Sequence, residues 1–148
     1  MKYILAGCEG LGYGASETKV VAFICSHCSL SGADAAGVKR LPYPSNVRLI
    51  RLTCSGQVNE LVVLEALMDG ADGVLVFGCP ENDCHYKIGS RNAKLCVEKL
   101  KSMLPSVGLE PERVGFEHIG ASDGEKFAEA LRSMVSKIQE LGPNPLKR

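Results

Sequence analysis

The chain lacks an excess of charge of either sign: 17 Lys and Arg face 17 Asp and Glu among its 148 residues. That balance argues against a nucleic-acid binder, whose affinity comes from surplus cations neutralising phosphates. No apolar run approaches the roughly 18 residues of a membrane-spanning helix, so no span is expected. Low-complexity tracts are absent, and 45% of the residues are apolar, enough to build a core. The familiar catalytic signatures are missing too, with no G-x-S-x-G elbow, no H-E-x-x-H and no Walker loop. A chain of this length is most simply one domain, burying about two-thirds of its unfolded surface.

The amino end offers two imitations. ILAGC resembles a lipoprotein cleavage site, but only the short run at residues 3–6 separates Lys2 from Gly7 and Cys8. An export signal needs an apolar core of roughly 7–15 residues. Export is therefore rejected, and a cytoplasmic chain is expected. GCEGLGYG at residues 7–14 looks like a dinucleotide loop, yet only residues 15–18 remain before the next strand. That is too short for the helix whose N-terminus must meet the pyrophosphate. Residues 1–17 read as an N-terminal arm, and Cys8 is given no role.

What the chain does have is cysteine, seven in all. Disulfides are rare in the cytoplasm and an odd number cannot pair fully, so metal or redox chemistry takes precedence. Three short apolar runs lead to cysteine: residues 19–24 to Cys25, 47–53 to Cys54, and 73–78 to Cys79. A fourth run, 113–119, ends at Gly120. Their β-branched and aromatic content and flanking Gly or Pro predict strands.

Helical patterns lie between these runs. Residues 59–68 form a helix stopped by Gly70, and residues 32–39 form a shorter one ended by Pro42. Ala93, Cys96, Val97, Leu100, Met103 and Leu104 recur at helical spacing, which places Cys96 among packed side chains. Ser122 and Glu125 suggest a capping box ahead of an apolar face made by Phe127, Leu131, Met134, Ile138 and Leu141. Strands alternating with helices predict an α/β domain: three layers, with a parallel sheet of about four strands flanked by helices, flavodoxin- or Rossmann-like. Ligands in such sheets gather at the carboxyl ends of the strands, where the three cysteine-terminated strands converge.

The candidate metal ligands are Cys25, Cys28, Cys54, Cys79 and Cys84, a C-x2-C pair, a lone cysteine and a C-x4-C loop. Thiolates suit zinc or iron–sulfur clusters, and clusters commonly take four cysteines, so one of the five is a spare. The plain alternative is five small buried hydrophobes. A redox dithiol at Cys25 and Cys28 would leave Cys54, Cys79 and Cys84 unexplained. A structural zinc module is the other rival. His27 and His85 adjoin cysteines, but the paired C-x-H and C-x-x-H spacing of a Rieske centre does not occur, so both are expected outside the ligand set, with His85 a candidate donor to sulfur. The cations Lys39, Arg40, Arg48 and Arg51 are either a solvated face or a counterweight to a negative cluster.

Four segments together resemble one known family: ICSHCSLSGADAAG, RLPYPSNVRLIRLTCSG, GADGVLVFGCPENDCHYKIGS, and the late ERV…KFAEAL…LGP. They are similar to the delta (iron–sulfur) subunit of methyl-viologen-reducing hydrogenase, over an iron–sulfur domain at residues 18–143 that leaves 144–148 as a tail. The resemblance implies a non-catalytic electron-transfer protein with a 2Fe–2S cluster. Its implied partners are the flavoprotein of a heterodisulfide reductase-type complex and an electron-donating oxidoreductase such as a nickel–iron hydrogenase. It carries cluster-ligand roles to Cys25, Cys28, Cys54, Cys79 and Cys84 without saying which four bind. Strand position favours Cys25 over Cys28, beside Cys54, Cys79 and Cys84.

Overall fold

The computed structural model describes residues 18–147; the N-terminal arm and Cys8 lie outside the described residues. Four strands, β1 (Val20–Cys25), β2 (Val47–Leu52), β3 (Gly73–Gly78) and β4 (Val114–His118), form one all-parallel sheet in the order β2-β1-β3-β4. Four helices accompany them: α1 (Cys28–Val38), α2 (Glu60–Met68), α3 (Gly89–Met103) and α4 (Gly124–Leu141).

The chain steps from β1 to β2 in one direction, then crosses back past β1 to β3 and β4. Right-handed crossovers then place α1 and α2 on opposite faces of the sheet. Alternate strand residues accordingly serve two cores. Val21, Phe23, Val74 and Val76 pack with Val63 and Leu67 of α2 and with Val97 and Leu100 of α3. Val20, Ala22, Ile24, Leu75 and Phe77 pack with Ala36 of α1 and with Phe127, Leu131 and Ile138 of α4. Strands β1 and β3 are buried at every position, which explains why they read as unbroken apolar runs. Each fully buried large side chain of this kind is worth about 1.5–3 kcal/mol.

Three local expectations give way to tertiary demands. Helix α1 starts at Cys28, four residues before the expected Gly32, because the crossover begins directly after β1. Its SLSG sequence is a poor helix former, and the Ser29 hydroxyl accepts the Cys25 N–H at 2.8 Å, tying the first turn to the strand. The Ser122–Glu125 capping box does not form: α4 starts after Asp123, whose carboxylate turns back to accept the Gly120 N–H at 2.8 Å. Cys96 is half-buried at the seam between α2 and α3, where burial and the adjacent Glu60 charge raise its thiol pKa.

Arg113 is buried, and its guanidinium donates to the carbonyls of Asp72 (3.0 Å), Gly142 (3.1 Å) and Pro143 (3.4 Å). Asn144 is buried beside it and donates to the carbonyls of Leu67 and Ala71. The chain beyond α4 is thereby bound to the amino-end edge of the sheet. Among the described residues no helix is long and apolar enough to cross a membrane.

Helices α1 and α4 cross at glycine. A β-carbon on Gly124 would come within 2.6 Å of the Ala36 amide nitrogen and 2.9 Å of the Ala35 carbonyl carbon. Gly37, in the last turn of α1, has nothing within 4 Å of such a carbon. Urea denaturation should therefore separate two identical substitutions. Gly124→Ala is expected to lose about 1–3 kcal/mol through overpacking, whereas Gly37→Ala should gain about 0.4–1 kcal/mol by restraining the unfolded chain.

Candidate metal centre

Doubly wound sheets open a crevice where the strand order reverses, here between β1 and β3. Cys25 is the last residue of β1 and Cys79 follows β3, so both stand at that crevice. Their sulfurs are 3.3 Å apart and both residues are buried. Cys28 opens α1 beside them, in hydrogen-bond contact with Cys79. Cys54 and Cys84 arrive at the same edge by another route, the N-terminus of α3. The Cys84 sulfur accepts the Ser90 N–H at 3.5 Å, and Cys54 lies against Gly89. Among the described residues no three His, Cys, Asp or Glu side chains form a ready-made metal cage. The five sulfurs stand as a touching set and two flankers.

Backbone N–H groups are aimed at four of these sulfurs. Cys25 receives those of His27 and Ser29, Cys54 that of Gly56 at 3.3 Å, Cys79 that of Cys28, and Cys84 that of Ser90. Such donors favour sulfur in its anionic form, the form that binds metals. The Cys28 sulfur instead lies 3.9 Å from the Asp83 carbonyl, to which it donates. Burial alone would raise the Cys25 thiol, but the Ser29 hydroxyl, the Ser29 N–H, the Cys79 contact and the His27 N–H outweigh it, and its pKa falls. Cys79 moves the other way, raised first by burial and then by its contact with Cys25. The donor set fits a thiolate-bound metal group by its chemistry.

The histidines beside the cysteines face each other. The rings of His27 and His85 stack with centroids 4.0 Å apart and planes 15° from parallel, and Tyr86 packs edge-on to both. This stack joins the C-x2-C turn to the C-x4-C loop across the mouth of the crevice. No hydrogen bond from His85 to a sulfur is seen among the described residues.

A family model for the delta subunit of methyl-viologen-reducing hydrogenase matches residues 20–142. The chain belongs to that family. It is 45% identical over 131 residues to the iron-sulfur subunit of the vhc F420-non-reducing hydrogenase from Methanococcus voltae, covering 88% of this chain and 91% of that one. It is 42% identical over 132 residues to the F420-non-reducing hydrogenase iron-sulfur subunit of Archaeoglobus profundus, covering 89% and 96%. A subunit of the Methanosarcina mazei ferredoxin:CoB-CoM heterodisulfide reductase is 44% identical over 131 residues, 87% of this chain but 16% of that protein.

Within this delta-subunit fold, several residues at the site carry no spacing signal. Ser90 and His118 both bind the Cys79 carbonyl, at 2.6 and 2.8 Å. A carbonyl only accepts, so His118 Nδ1 carries the proton. Ser90 thus touches both ends of the loop, the Cys79 carbonyl through its hydroxyl and the Cys84 sulfur through its N–H. Only the fold brings β4 and α3 to this point. Of the four cations singled out in the sequence, Lys39 pairs with Glu125 at 3.5 Å, Arg40 follows the end of α1 and Arg48 is near the amino end of β2, leaving Arg51 towards the cysteine edge.

Gly89 is where α3 meets Cys54. A β-carbon there would overlap the Cys54 sulfur, and the backbone of the Cys54 turn already approaches Gly89 closely through Gly56. Gly89→Ala should cost about 1–3 kcal/mol and push Cys54 off its Gly56 N–H. Peptide mass spectrometry of the metal-free variant should show Cys54 alkylated by iodoacetamide faster than in the parent protein.

Proposed function

We propose that this chain is a non-catalytic electron-transfer protein whose cysteines hold an iron–sulfur cluster of the 2Fe–2S type. The observation that carries this reading is the meeting of Cys25, Cys28 and Cys79 at the β1–β3 crevice with Cys54 and Cys84 alongside, four of the five sulfurs receiving backbone N–H groups. When bound, the cluster would supply a one-electron relay. The protein's part is to hold four thiolates at an edge a partner can reach, and to balance their charge with oriented N–H dipoles.

The assignment of four ligands from five rests on the donors. Cys25, Cys54, Cys79 and Cys84 are the ligands, and Cys28, which donates to a carbonyl, is the spare. The relatives support the choice of partners. Two are named iron-sulfur subunits of a hydrogenase, and one belongs to a heterodisulfide reductase and contains the whole matched module within a longer chain. We place this protein between a hydrogenase or other oxidoreductase and the flavoprotein of a heterodisulfide reductase-type complex. The compartment proposed is the cytoplasm, where its free cysteines stay reduced.

A thiol–disulfide reading draws on one observation, the 3.3 Å sulfur contact, and moves the reactive pair from Cys25–Cys28 to Cys25–Cys79.

Anaerobic reconstitution followed by iron, sulfide and zinc analysis and EPR tests the proposal. Two irons and two sulfides per chain, with an EPR signal on one-electron reduction, are expected. Serine at Cys25, Cys54, Cys79 or Cys84 should abolish or deplete the cluster, while Cys28→Ser keeps near-normal iron. A colourless protein with one zinc would sink the cluster, and a metal-free protein cycling a Cys25–Cys79 disulfide would establish the thiol reading instead.

A further inference from the structure

Ser55 is 2% exposed, and its hydroxyl is the buried side-chain polar atom left without a hydrogen-bond partner among the described residues. Burying a hydroxyl unpaired costs free energy that a fold normally avoids. Alanine in its place would avoid that cost. The location is specific: Ser55 directly follows Cys54 and begins the short turn Ser55–Gln57. That turn lies against α3 and against β1 and β3, the strands that lead to Cys25 and Cys79.

The neighbours of Ser55 satisfy one another without it. Gly56 N–H goes to the Cys54 sulfur, the Gln57 side chain accepts the Cys54 N–H, and Val58 N–H goes to the Ser55 carbonyl. The hydroxyl is the buried side-chain group of the turn that these bonds leave unpaired. We propose that Ser55 Oγ–H is a tuning donor that completes its hydrogen bond on the sulfur of the bound cluster. This inference rests on the function proposed above. A hydroxyl donating to sulfur stabilises the extra negative charge of the reduced cluster, so its presence raises the reduction potential. The hydroxyl itself loses no proton and forms no bond to metal.

Opposite outcomes are expected for the empty and the loaded protein. In the metal-free chain, Ser55→Ala should leave the melting midpoint unchanged or higher, because it deletes an unpaired buried group. In the reconstituted chain, the same variant should take up a full cluster, show a midpoint potential shifted to more negative values and display altered EPR g-values. It should also lose iron to a chelator about 10-fold faster, the usual cost of removing an outer partner. A lower melting midpoint for the metal-free variant would mean that the hydroxyl already has a partner, and would overturn the proposal. So would a fully loaded variant with the parent potential and EPR signal. A parent chain that takes up no iron would overturn this inference together with the function beneath it.

Discussion

The pairing of β1 with β3 is the constraint on which the site depends. Both strands are buried along their whole length, in register from Val20 with Gly73 to Ile24 with Phe77. Neither can slide, since a one-residue slip would exchange the side chains facing the two cores. The residues that follow this register, Cys25 and Cys79, are therefore delivered side by side at the carboxyl edge. The strand order reverses at the same place, which is where such sheets open a crevice beyond the ends of their strands.

Around that pair the fold assembles N–H groups. Helix α1 begins directly after the strand and turns its first amides towards Cys25 and Cys79; α3 begins at Gly89 and does the same for Cys84. Two helix N-termini thus face a set of sulfurs that are most useful as anions, the charge that helix N-termini favour. The His27–His85 stack holds the two cysteine loops together from the solvent side.

Much of this was legible in the linear chain, for a physical reason in each case. Unbroken apolar runs such as GVLVFG mark strands buried on both faces, and their alternation with helical patterns implies a parallel sheet. The helix expected over residues 59–68 forms as α2, with Asn59 as its N-cap, and Gly70 follows it with φ 116°. The start of α1 was hidden because SLSG favours turns, and only the packing of the crossover makes it helical. The Ser122 cap does not form because α4 starts one residue later, after Asp123, whose carboxylate accepts the Gly120 N–H. His118, Ser90 and Ser55 left no trace in spacing, since their partners are distant in sequence or absent.

Sequence alone determined that cysteines would end parallel strands at one edge, because apolar periodicity dictates strand position and the right-handed crossover dictates direction. It also carried the family resemblance. Which sulfurs touch, which receive N–H groups and which hydroxyl stays unpaired were decided only in three dimensions. Hydrogen bonds are short-ranged and directional, so the placing of the first turns of α1 and α3 decides which sulfurs receive N–H groups, whereas the apolar pattern that sets the strands is tolerant of small shifts.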